Sequence, residues 1–175
     1  FLVGFGLMFG GVGALSTLGV DGSILNKEFT LSLFGKSFGL FGLTGFALSG
    51  ITSMGVSGFF LFQLVFMDTT ATIPTGAMAE RWKWKAFVIY GFFVSAILYP
   101  LYGNWIWGGG WLSQLGANLG HGHFVVDFAG SSVVHMVGGV CALAGAAVIG
   151  ARIGKFRKDG TPVAIPGHNI PMAIL

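Results

Sequence analysis

The residues of this sequence best placed to do chemistry stand in long apolar runs. His135 closes the segment Asp127-Phe-Ala-Gly-Ser-Ser-Val-Val-His135. A neutral imidazole offers one donor and one acceptor, so it can pass a proton or hold a small polar solute. The alternative is a histidine hydrogen-bonded to a neighbouring helix. On a helix, eight residues would separate Asp127 from His135 by roughly 12 Å along the axis. Asp127 opens its apolar run, where a carboxylate can cap free N–H groups and meet the positive end of a helix. Drawing cations inward by its negative potential is compatible with that role. Asp68 follows apolar residues and precedes Thr69 and Thr70; a cation or a helix from elsewhere in the protein could pair with it.

Two aromatic residues belong to the same inventory. Trp107 precedes Gly108-Gly109-Gly110, and an indole face attracts cations by about 0.5–2 kcal/mol. Its other reading is an anchor at the membrane surface. Phe66 could narrow a pore or simply pack. His121 and His123 could bind a metal, but with no cysteine or carboxylate near them before Asp127 a site there is not expected. No phosphate-binding glycine loop, zinc-protease motif or nucleophile elbow is present. The chain is therefore not expected to be an enzyme, and no cofactor is implied.

The elements that must position these residues are membrane helices. Of 175 residues 54% are hydrophobic and only 9% charged, against about 25% charged in an ordinary soluble domain. The 31 glycines suit helices whose backbones approach closely in lipid. No Gly-X-Y period and no repeat of 20–50 residues is present. Cys141 is the only cysteine, so there is no disulfide framework. A bilayer core of roughly 30 Å needs about 20 apolar helical residues. Three complete spans are predicted, at about residues 50–75, 84–102 and 127–151. Residues 1–12 read as the tail of an earlier span, and residues from His168 onward as the start of another. The Gly-rich stretch 37–49 is predicted to be an interfacial or short re-entrant segment. The chain opens on Phe1 and stops in an apolar run at Leu175, so it is expected to be a piece of a longer protein.

Charge sets the expected orientation. Arg81, Lys83 and Lys85 lie in one loop; Arg152, Lys155, Arg157 and Lys158 lie in another, two spans later. Together they hold seven of the nine Lys and Arg, which predicts that both loops are cytoplasmic. The loops 13–49 and 103–126 then face outward, the second flanked by Tyr99, Tyr102, Trp105, Trp107 and Trp111, as suits a membrane interface. The net charge of +3 thus reports topology, and no nucleic-acid partner is expected.

Read together, several motifs resemble the ammonium transporter (Amt) family. They are Phe62-Gln63, Gly76-Ala-Met-Ala-Glu-Arg81, Trp107-Gly-Gly-Gly-Trp111-Leu112, Asp127 through His135 with Gly138 and Gly139, and His168-Asn-Ile-Pro171. They run in the family's order from about residue 62 to 171; the first 60 residues match loosely. The resemblance implies an all-α polytopic membrane protein, a homotrimer with eleven helices per subunit in two inverted halves. Residues 1–175 would form one partial domain, from about the second helix to the start of the sixth. It further implies that Trp107 helps recruit ammonium or methylammonium at the outer mouth. Phe66 would be one of two rings closing that mouth, Asp127 a support of the site, and His135 one of a pair of pore histidines. The second ring, the second histidine and an outer-site serine would lie beyond Leu175. The setting would be the plasma or inner membrane. Two readings stay open: a channel or transporter, or an ammonium receptor coupled to a cytoplasmic signalling domain; a cytoplasmic regulatory protein is a possible partner of either. Two features depart from the family pattern. The outer loop before Asp127 is long, and Asp68 stands two residues past Phe66, where a carboxylate could hold a cation rather than release it.

Overall fold

The computed structural model describes residues 1–11, 23–122 and 124–175. A short helix α1 (Leu2–Phe9) leads to a hairpin of strands β1 (Glu28–Leu33) and β2 (Lys36–Gly42). There follow α2 (Met54–Met78), α3 (Trp84–Phe93), a π-helical turn (Val94–Leu98), α4 (Tyr99–Ile106) and α5 (Trp111–Asn118). A second π-helical turn (Ser131–Met136) runs into α6 (Val137–Ile149), and α7 (Ile170–Ile174) comes last. Three stretches are long and apolar enough to cross a membrane: Met54–Met78, Trp84–Asn118 and Ser131–Ile149. They correspond to the three predicted spans, with bounds shifted in each; the first runs from Met54 to Met78. The middle one continues helically to Ile106 before it breaks at residues 107–110, and the last begins at Ser131 instead of Asp127.

The hairpin corrects the all-α expectation. Residues 37–49, predicted to be an interfacial or re-entrant segment, instead supply most of β2 and a short 3-10 turn at Phe46–Leu48. The reason lies just upstream, in Glu28-Phe-Thr-Leu-Ser-Leu33, which alternates apolar and polar residues with the two-residue period of a strand. Phe34 and Gly35, at φ +52° and +73°, form the two-residue turn, both in the left-handed region that a tight hairpin of this twist requires. Phe29 stacks on Phe41 across the strands, with centroids 4.9 Å apart.

The core is aromatic where α1 meets α2 and α4. Phe5 and Phe9 are buried and meet Phe60 and Phe59 edge-on, at 5.4 and 4.8 Å. Further along, α2 lies close against α6. A Cβ added at Gly138 would stand 2.8 Å from Ile73, and one at Gly145 would overlap the Met78 sulfur. Glycines seven residues apart thus clear one stripe of α6 for α2. Gly138→Leu should therefore cost about 1–3 kcal/mol of overpacking. It is expected to lower the thermal unfolding temperature in detergent, and an unchanged temperature would dismiss this contact. Pro74 interrupts the hydrogen-bond ladder of α2, and nearby hydroxyls bond back to carbonyls, Thr70 to Phe66 at 3.0 Å and Thr75 to Thr72 at 2.6 Å.

The two basic loops meet at one end of the bundle. Arg152 pairs with Glu80 at 2.8 Å, and Arg81 donates to the carbonyls of Ala77 and Gly150. The predicted same-side placement of these loops is therefore present as direct contact. At the opposite end the hairpin is held by α4 and α5: Trp105 Nε1 donates to the Leu40 carbonyl at 3.0 Å, and Asn118 Nδ2 to that of Ser37 at 2.9 Å.

Candidate functional site

The site is built around the loop before α6. Asp127 is almost fully buried, and its carboxylate accepts six hydrogen bonds. Oδ1 takes the backbone N–H of Gly130 at 2.6 Å and of Ser131 at 2.9 Å, and the Ser131 hydroxyl at 3.3 Å. Oδ2 takes the N–H groups of Ser132 and Val133 at 2.8 and 2.7 Å and the Ser132 hydroxyl at 2.7 Å. These are the free donors at the start of the last span, and one side chain satisfies them. Gly130, at φ +100°, makes the turn that aims them at the carboxylate. Asp127 lies ahead of the span. Burial raises its pKa, but the hydrogen bonds from Val133, Ser132 and Gly130 outweigh it and hold the carboxyl at about 2. Of the two roles read from sequence, capping accounts for every carboxylate contact.

The backbone carbonyl of the same residue holds Trp107. The indole Nε1 donates to the Asp127 carbonyl oxygen at 2.6 Å. Because that N–H is occupied, the part of Trp107 left for a solute is its π face. Trp107 stands where the helix breaks, its own N–H bonded to the Gly103 carbonyl at 2.7 Å. The ring of Phe66 meets it edge-on, with centroids 5.6 Å apart at 78°. Phe62, one turn earlier on α2, meets Phe66 in the same way at 4.9 Å. Phe62, Phe66 and Trp107 thus form an aromatic row beside the Asp127 turn.

Three of the four residues to which the family resemblance gives site roles, Phe66, Trp107 and Asp127, come together here. His135 does not touch them. It lies in the π-helical turn that follows, its N–H bonded to the Gly130 carbonyl five residues back at 2.8 Å. Such turns cluster at functional sites. The His135 side chain is exposed, and among the described residues nothing hydrogen-bonds to it. The helix-partner reading of His135 therefore finds no partner within this stretch. Sequence reasoning missed Phe62 as a participant, although its spacing of four from Phe66 puts both rings on one helix face.

The departures resolve unequally. Asp68 is exposed on α2, and two residues past Phe66 place it roughly 200° around the helix from that ring. That places it on another face of α2 from the aromatic row, away from the position at the gate where a carboxylate could hold a cation. His121 is exposed in its loop, and His123 lies outside the described residues.

Comparison with known proteins adds to this geometry. The sequence model of the Ammonium Transporter Family matches residues 1–175, which includes the first 60 residues whose motifs resembled the family only loosely. Ammonium transporter Amt2 of Archaeoglobus fulgidus is 46% identical over 140 residues, 78% of this chain and 30% of that protein. Ammonium transporter 1 member 3 of Solanum lycopersicum is 40% identical over 144 residues, covering 81% and 31%. Ammonium transporter Amt1 of Haloferax mediterranei is 43% identical over 132 residues, covering 74% and 25%. The chain spans less than a third of the length of each of these relatives.

Proposed function

The chain belongs to the ammonium transporter family, and from that membership we propose that it is part of a pore that carries ammonium across a membrane. The observation that supports this most is the aromatic row of Phe62, Phe66 and Trp107, fixed to the Asp127 turn one helical segment ahead of an uncovered His135.

An ammonium ion loses several kcal/mol of hydration when it leaves water for an apolar passage. Ring faces at the mouth offset part of that loss, by about 0.5–2 kcal/mol each. Handing a proton to an imidazole then leaves neutral ammonia, which crosses apolar walls at far lower cost. The proton follows through His135 and a second histidine outside this stretch. A potassium ion has no proton to hand over, so the same route discriminates against it. In this reading Asp127 holds the turn and the indole in place, and Trp107 and Phe66 receive ammonium or methylammonium.

The remaining expectations belong to the whole protein: eleven helices in two inverted halves, three subunits, and the Arg81 and Arg152 loops facing the cytoplasm. The full-length protein carrying Trp107→Leu tests the recruiting role. Loss of one cation–π contact should raise the half-saturating ammonium concentration by roughly 2- to 30-fold. A saturation curve identical to wild type would return Trp107 to the anchor reading.

A further inference from the structure

Away from the aromatic row, a buried amide and a half-buried carboxylate meet where the hairpin joins α4. Asn104 is fully buried, one turn before Trp107. Its Nδ2 donates to the Met8 carbonyl at the end of α1, at 3.1 Å, and to Glu28 Oε1 on β1, at 3.2 Å. Its Oδ1 has no partner among the described residues, and its backbone carbonyl receives the N–H of Gly110 at 2.8 Å. One residue therefore joins α1, β1 and the turn that follows Trp107.

The surroundings are shaped to this pair. A Cβ at Gly11 would stand 2.8 Å from the Glu28 Cβ, and one at Gly39 would overlap the Glu28 carboxylate. On the other side, a Cβ at Gly110 would stand 2.6 Å from Asn104 Oδ1, and one at Gly108 only 2.7 Å from the Asn104 Cα. Burial raises the Glu28 pKa, and the Asn104 hydrogen bond opposes the rise. Burying such a polar pair is unfavourable unless its bonds are made, and among the described residues neither side chain hydrogen-bonds to Phe66, Trp107, Asp127 or His135.

We propose that the Glu28–Asn104 pair is a positioning device that fixes the helix end carrying Trp107, so that the outer hairpin sets the affinity of the recruiting site. The helix breaks immediately after Trp107, so the indole is held on one side by the Asp127 carbonyl and on the other by whatever anchors residues 104–110. Asn104 is that anchor, and among the described residues Glu28 is the partner of its side chain on the hairpin. The Trp105–Leu40 bond runs along the same seam.

This inference rests on the transport reading, and a double-mutant cycle on the full-length protein in proteoliposomes separates the two. The variants are Glu28→Asp, which keeps the charge but is one methylene too short to reach Asn104, Glu28→Gln, which keeps length and acceptor, and each of these combined with Trp107→Leu. Glu28→Asp should raise half-saturating ammonium about three- to tenfold, the scale of coupling between neighbouring groups, with maximal flux little changed. Glu28→Gln should stay near wild type. In the Trp107→Leu background the Glu28→Asp effect should vanish, which general destabilisation would not produce. An equal shift in both backgrounds, or no shift in either, overturns the positioning role while leaving the transport reading intact. A Trp107→Leu curve identical to wild type removes the recruiting role and with it the positioning role, whereas absence of saturable ammonium flux in the wild type overturns the transport reading itself. If Glu28→Asp does not fold, Trp105→Phe, which removes the indole bond to Leu40 on the same seam and shrinks a ring that also meets Tyr102 and Trp111, takes its place in the cycle with the same outcomes.

Discussion

His135→Ala is expected to abolish or reshape ammonium-evoked current while the protein still folds. The side chain is exposed in this stretch and hydrogen-bonded to nothing among the described residues, so its removal takes away little packing. On the proposed reading, what it takes away is a proton acceptor in an apolar passage. Positioned acid–base groups contribute on the order of 10²–10⁴ in rate, so a fall in current of at least about a hundredfold is expected. Residual flux of another character, such as hydrated-ion leak without discrimination against potassium, would also fit. Wild-type current with wild-type selectivity in a properly folded variant would remove His135 from the proton path.

Asp127→Ala should do more damage, and of a different kind. Four backbone N–H groups and two hydroxyls now end on that carboxylate. Each buried donor left without a partner costs about 1–3 kcal/mol, offset in part wherever water enters. The start of the last span should therefore fray, and with it the turn whose carbonyl holds Trp107. Lower thermal stability in detergent and loss of saturable transport are expected together. Asp127→Asn keeps the shape and one acceptor oxygen, but turns an amide toward N–H groups on the other side, so it should fall between the two. A stable, fully active Asp127→Ala would show that the hydrogen bonds are dispensable and that the carboxylate's place in the site has been misjudged.

The two predictions separate cleanly because the sequence carried different kinds of information about the two residues. His135 was singled out by cost: an ionisable group in an apolar run invites a functional explanation, and the residues alone left that reading open beside a helix partner. The spans were legible from length and hydropathy, and the meeting of the Arg81 and Arg152 loops from charge spacing. Asp127 was legible as a capping residue, but the number of donors it gathers was not. That depends on Gly130 adopting a positive φ and on a π-helical turn, neither of which apolar periodicity encodes. The hairpin was missed because a glycine-rich apolar stretch was judged by its hydropathy. The two-residue alternation in Glu28–Leu33, just before it, carries the strand signal. Phe62 entered only as part of the Phe62-Gln63 motif, and its edge-on contact with Phe66 is what brings it into the aromatic row. Asp68 shows the reverse error: two positions along the chain suggested proximity to the gate, whereas the helical turn carries it to another face.

The central claim is that the protein moves ammonium rather than only binding it. Its most direct test is ammonium-evoked current from the full-length protein in proteoliposomes, with an internal pH dye reporting electroneutral ammonia passage in the same vesicles. The account predicts a saturable ammonium-dependent signal that His135→Ala removes or alters. Saturable ammonium binding with neither current nor pH change would contradict it, and would make the protein a receptor.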